Sequence, residues 1–190
     1  MKFIFIIKIL LISILCVSFS SVNAQRNKHK QVQQQKHKKE KRHNPHYRYA
    51  KLPRWGYSTK VAPKDAFLIT HSGKKYHYHS GIYYKRVGVN YKITKAPIGI
   101  RVRALPKERI RCNIKGKKYF YYYGTFYTKT GGADEYITVD PPKGANVDAL
   151  PEGYKDVTID GKEYYEFEGI LYKPVISENN EELFEVIGKI

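Results

Sequence analysis

Two histidines, His77 and His79, stand two residues apart in an aromatic-rich run, with His71 across the preceding Ser-Gly turn. Neutral imidazoles at that spacing share one face of a strand and could hold a transition metal. Internal repetition weakens that reading, because Phe120 and Tyr122, then Tyr165 and Phe167, fill the equivalent slots. A packing role is simpler there. The chain has two cysteines, and Cys112 is the one that follows the N-terminal leader. It aligns with Ile69 and Val157, both apolar strand residues, and so reads as a buried thiol rather than a nucleophile. No Cys-His or Ser-His-Asp set follows a recognisable spacing. Glu163, Glu166 and Glu168 read as the solvated side of a strand and its turn. There is no phosphate loop, HExxH or EF-hand pattern. The expectation is a protein that is not an enzyme and carries no cofactor. The metal reading through His71, His77 and His79 is its competitor.

Tyrosine is the more conspicuous chemistry, at 18 of 190 residues. Tyr83, Tyr84, Tyr121, Tyr123, Tyr127 and Tyr172 lie in short runs beside lysines. Exposed rings there would suit glycan or peptide recognition by stacking and hydrogen bonding. Otherwise they face the two sides of a sheet and form its core. Polyanion binding has a separate candidate. Arg26, Lys28, Lys30, Lys36, Lys38, Lys39, Lys41 and Arg42 crowd a stretch whose only acid is Glu40. Such a segment binds polyanions by releasing counterions, without reading sequence. Four histidines (His29, His37, His43, His46) lie among these lysines, which repel metal cations.

The elements that would position these residues follow from charge and repetition. Residues 1–24 read as a secretory signal peptide: Lys2, an apolar run, then Val22-Asn23-Ala24 as the cleavage site. No membrane span remains once it is cut. Residues 25–51 carry a net +9 and only Val32 and Ala50 as aliphatic side chains, so a disordered basic tail is expected. Residues 52–115 carry +13 and residues 116–190 carry −6. The basic and acidic halves either attract each other in the fold or face different partners.

The pattern Gly-Lys-Lys/Glu-Tyr, followed eight residues after its first glycine by a second glycine, occurs three times. It starts at Gly73, Gly116 and Gly161. A trailing block also recurs: Ala96-Pro97-Ile98-Gly99, Val102 and Leu105-Pro106 match Pro141-Pro142-Lys143-Gly144, Val147 and Leu150-Pro151. Residues such as Asp160-Gly161 mark tight hairpins. No stretch of the body has helical periodicity over ten residues. The reading is all-β: antiparallel meander repeats over 52–110, 111–155 and a shortened 156–190, forming small SH3-like or sandwich-like sheets.

The linked order of Tyr119, Tyr121, Gly124, Phe126, Tyr127, Tyr136, Val139, Pro141, Pro142, Gly144, Val147, Leu150, Pro151, Gly153 and Tyr154 resembles an uncharacterised family of exported Gram-negative proteins, catalogued as a domain of unknown function. The resemblance spans roughly 52–172. The first unit departs from it, with Ala96 for the first proline and Glu108-Arg109 where the next block has Gly153-Tyr154. The Gly-x-x-Val-x-x-Leu block is also faintly similar to bacterial SH3 modules. A weaker likeness is to small periplasmic proteins of metal homeostasis. What the resemblance implies is an envelope protein, in the periplasm, at the outer membrane or released, with no catalytic residues to carry over. The expected partners are lipopolysaccharide, acidic glycan, extracellular DNA or peptidoglycan, or a protein of the envelope.

Overall fold

Two-residue turns decide the architecture. In Ser72-Gly73, Ser80-Gly81, Lys115-Gly116, Tyr123-Gly124, Asp160-Gly161 and Glu168-Gly169, both residues have positive φ, between 44° and 84°. That conformation matches the right-handed twist of paired strands, so each pair closes a hairpin. The computed structural model describes residues 47–131 and 135–190. The signal peptide and most of the basic tail lie outside the described residues. No described helix is long and apolar enough to cross a membrane.

Three five-stranded antiparallel sheets result. The first holds β1 (Ser58–Thr59), β2 (Phe67–His71), β3 (Lys74–His79), β4 (Ile82–Val87) and β5 (Asn90–Thr94). The second holds β6 (Arg101–Val102), β7 (Ile110–Ile114), β8 (Lys117–Tyr122), β9 (Thr125–Lys129) and β10 (Tyr136–Val139). The third holds β11 (Asn146–Val147), β12 (Lys155–Ile159), β13 (Lys162–Phe167), β14 (Ile170–Ile176) and β15 (Glu182–Lys189). The spatial order in the first is β1-β5-β4-β3-β2, and the other two repeat it. The sheets thus take their first strands from 58–59, 101–102 and 146–147. The divisions drawn at 110 and 155 from the glycine-tyrosine motif fall inside β7 and at the start of β12. The third sheet has all five strands, although its stretch of sequence reads as shortened.

In each sheet the first and second strands lie at opposite edges, joined by seven residues (60–66, 103–109 and 148–154). Four strand spacings are about 19 Å, and seven extended residues reach about 25 Å, so the connection crosses the sheet as a strap. In the second and third sheets the Val-x-x-Leu-Pro motif runs from the last residue of the short first strand into this strap, and Val102, Leu105, Val147 and Leu150 are buried.

Directly opposed residues share a face of a sheet. Register therefore puts Tyr76, Tyr78 and Tyr83 on one face of the first sheet and His77, Tyr84, Tyr91 and Ile93 on the other. The tyrosine face packs with Phe120, Tyr127 and Tyr136 of the second sheet, with Val102 and Leu105 in the same cluster. The opposite face of the second sheet, with Cys112, Tyr121 and Phe126, packs with Tyr165, Phe167, Tyr172, Phe184 and Val186 of the third. The middle sheet is covered on both sides.

The same contacts recur at the two junctions. The Tyr78 hydroxyl donates to the Ala104 carbonyl of the following strap at 2.9 Å. Tyr121 does the same to Ala149 at 2.9 Å. A Cβ on Gly81 would strike the Tyr122 ring and Pro106, and one on Gly124 would lie 2.6 Å from the Phe167 ring and 3.2 Å from Pro151. Bare glycine corners let each sheet seat against the next. At the far end the stack stops, because Glu166 occupies the slot of Tyr78 and Tyr121 and its carboxylate instead takes the Gly169 N–H.

The expected tail ends earlier than residue 51. Tyr47–Tyr49 form a 3-10 turn, and Tyr49 is 5% exposed. Its ring meets Tyr122 and Tyr123 edge-on, at 5.8 and 5.3 Å. Counting aliphatic residues passes over an aromatic anchor of this kind. The segment continues as a clasp. The Tyr123 hydroxyl donates to the Pro53 carbonyl, and Trp55 donates to Glu168 at 2.8 Å. Arg48 pairs with Asp148, and Arg54 with Glu152. Lys95 donates to the Glu168 carbonyl. Basic and acidic parts of the sequence therefore attract each other inside the fold.

Gly124→Ala should lower stability in urea unfolding more than Gly161→Ala, by about 1–3 kcal/mol. Both have positive φ, but nothing lies within 4 Å of a Cβ at Gly161. Equal losses would mean that the Gly124 corner is not a packing contact.

Candidate functional site

The tyrosines proposed for recognition are interior residues. Tyr121, Tyr127 and Tyr172 have no exposed surface, and Tyr83, Tyr84 and Tyr123 have 4% or less. A ring enclosed on both sides offers no face to a sugar or peptide. Their polar ends are used internally: the Tyr127 hydroxyl donates to Tyr83 at 3.3 Å, and Tyr121 and Tyr123 donate to Ala149 and Pro53. Burial raises the pKa of all six hydroxyls above the ordinary value of 10.0. Burial takes Tyr78 and Tyr165 up to about 12.

The three histidines do not converge. Leu68 opposes His77, so β2 alternation puts His71 on the other face, with Tyr76 and Tyr78. Its ring lies near Gly99. His77 packs edge-on against Tyr91, at 5.0 Å and 88°. Among the described residues, no three His, Cys, Asp or Glu are placed to hold a metal. Cys112 is buried, its thiol lies 3.2 Å from the Asn146 carbonyl, and burial pushes it up to about 11. The tail cations Arg26 to Arg42 lie outside the described residues.

The His77–Tyr91 pair leads to the site. Phe120–Tyr136, at 5.2 Å and 89°, and Tyr165–Phe184, at 5.4 Å and 83°, stand at the same positions in the other sheets. A third residue, supplied by the end of the strap, differs in each sheet. In the third it is Tyr154, edge-on to Tyr165 at 5.2 Å, which completes an aromatic trio. In the first it is Ala66. In the second it is Arg109, whose guanidinium lies 5.7 Å from the Phe120 ring and 6.0 Å from Tyr136.

A cleft of about 470 Å³ lies over the second sheet where Arg109 stands. Clefts of this size enclose small ligands or one unit of a polymer. Arg109, Arg111, Lys118 and Lys129 supply four positive charges, over a floor that includes Phe120 and Tyr136. No Asp or Glu is among its described lining residues. Glu135, beside Tyr136 in the sequence, is taken up by Arg101 at 3.2 Å. Arg109 NH1 donates to the Pro106 carbonyl at 3.1 Å, which holds the guanidinium over the rings. Its Nε is buried and has no hydrogen-bond partner.

The sequence profile of a family of unknown function (DUF6515) matches residues 17–189. The chain belongs to this family. No curated protein and no solved structure matches it. Membership therefore brings no residue roles, and the cleft rests on its own geometry. Arg109, Arg111, Lys118, Lys129, Phe120 and Tyr136 were absent from the sequence-level candidates. The departure of Glu108-Arg109 from Gly153-Tyr154 was the one signal that pointed there.

The buried hydroxyls have a consequence at high pH. An unfolded tyrosine ionises near 10, and the folded ones ionise later, so the unfolded state binds fewer protons above pH 10. Stability should hold below pH 10 and fall steadily above it, with tyrosinate absorbance rising together with loss of β circular dichroism. Ionisation of the buried tyrosines, such as Tyr83, Tyr121 and Tyr172, well before unfolding would contradict the burial.

Proposed function

We propose that this chain is a non-enzymatic, exported cell-envelope protein that binds an acidic glycan in the cleft of its second sheet. The four cations that line one cleft, Arg109, Arg111, Lys118 and Lys129, are the observation that carries the reading. The cations suit the acidic substituents of a sugar, and Phe120 and Tyr136, 7% and 9% exposed, offer it ring edges and not open faces. The basic residues 25–46 add electrostatic attraction of longer range, with little selectivity. Peptidoglycan, lipopolysaccharide and extracellular DNA share part of this chemistry. DNA differs in offering phosphates without sugar acids.

Arg109→Tyr tests the reading, because the third sheet already carries tyrosine at this position. The variant should fold normally. Its affinity for an oligouronate should fall about tenfold, a loss of about 1.4 kcal/mol, measured by calorimetry at fixed salt. Deleting 25–46 should instead flatten the salt dependence and leave cleft selectivity intact. Wild-type affinity in Arg109→Tyr would overturn the cleft assignment. Tighter binding of DNA than of oligouronate would overturn the glycan.

A further inference from the structure

Among the described residues each sheet has a free edge at its second strand, since β2, β7 and β12 pair on one side only. Such an edge presents unpaired N–H and C=O groups and invites another strand unless a charge discourages it. Edge β7 carries Arg111, and β12 carries Lys155 and Asp156. Edge β2 reads Phe-Leu-Ile-Thr-His and carries no Lys, Arg, Asp or Glu. Its Phe67 is 71% exposed and Leu68 is 56% exposed. They project to opposite faces of the sheet, and Val61 of the adjoining strap is 72% exposed. Apolar exposure on both faces of an uncharged edge suits an added strand better than a partner laid across one face.

The surroundings set the chemistry of that strand. Lys60, Lys64, Lys74 and Lys75 are all exposed on the strap and on β3, and Asp65 is the one nearby acid in the sequence. A second copy paired edge to edge would bring two strongly basic sheets together. We propose that β2 is a docking edge for an extended, acidic segment of another protein. That segment adds as a sixth strand, with apolar side chains beside Phe67 and Leu68 and carboxylates near the lysines. Main-chain hydrogen bonds supply affinity in this mode, and alternate side chains supply selectivity.

The test uses the full chain and a labelled eight-residue peptide of repeated Val-Val-Glu-Glu, which puts valine and glutamate on both faces of a strand, read by fluorescence anisotropy. The expected result is saturable binding that a valine–lysine peptide lacks. Methylation of alternate peptide nitrogens should weaken it at least tenfold. Leu68→Asp, at an exposed position that leaves the core untouched, should also abolish it. Arg109→Tyr should leave it unchanged, which separates this edge from the glycan cleft. Equal binding of the methylated peptide would reduce the effect to charge attraction and overturn strand addition. A dimer in sedimentation, lost in Leu68→Asp, would assign the edge to a second copy instead and overturn the acidic partner.

Discussion

A tyrosine hydroxyl reaching across to the carbonyl of the next strap is the contact on which the fold depends. Tyr78 meets Ala104 and Tyr121 meets Ala149, each at 2.9 Å. Where a strap is covered by the next layer, as at Ala149, its backbone carbonyl is buried without a strand partner. A buried carbonyl left unsatisfied costs about 1–3 kcal/mol. Tyrosine solves this with one side chain, since its ring fills the layer and its hydroxyl satisfies the strap. The glycine corners at Gly81 and Gly124 then let the layers close. Where the pattern ends, the residues change character. His77 and His79 replace aromatic rings at one end, and Glu166 replaces tyrosine at the other. Polar residues at the outer faces end a repeat stack in this way.

This economy decides where chemistry remains. The tyrosines look like a recognition surface in sequence, but they are committed to holding three sheets together. The proposed glycan site lies where repeat packing is broken. The break is the position filled by Ala66, Arg109 and Tyr154. Alanine leaves the His77–Tyr91 pair without a third member, tyrosine closes the trio, and arginine puts a fixed guanidinium above two rings. The flanking Arg111, Lys118 and Lys129 turn that one substitution into a cationic cleft. Charge is thereby localised: Arg48, Arg54 and Arg101 pair with Asp148, Glu152 and Glu135, and Arg109, Arg111, Lys118 and Lys129 line the cleft.

Much of the fold was legible in the sequence because turns and alternation are local. Asp160-Gly161 and its counterparts marked hairpins, and the strands between them follow. The family was legible from the linked order of Pro-Pro-x-Gly and Val-x-x-Leu-Pro. What alternation could not tell was which faces are covered. Tyr121 and Tyr122 point to opposite sides of β8, and both are buried because a sheet lies on each side of it. The path of residues 103–109 was equally hidden, since pairing of β6 with β10 is a contact of long sequence separation. Tyr49 was missed because a charge-dense context outweighed one aromatic side chain. Arg109 was visible as a departure from the repeat, but its meaning needed Phe120 and Tyr136 in place around it.

The central claim is that binding resides where Arg109 interrupts the aromatic trio, and not on the tyrosine rows. An amide chemical-shift map during titration with an oligouronate tests it most directly. The account predicts perturbations centred on Arg109, Arg111, Lys118, Lys129 and Tyr136, with Tyr83, Tyr127 and Tyr172 unmoved. Saturable shifts confined to the first or third sheet, with the Arg109 region silent, would contradict it.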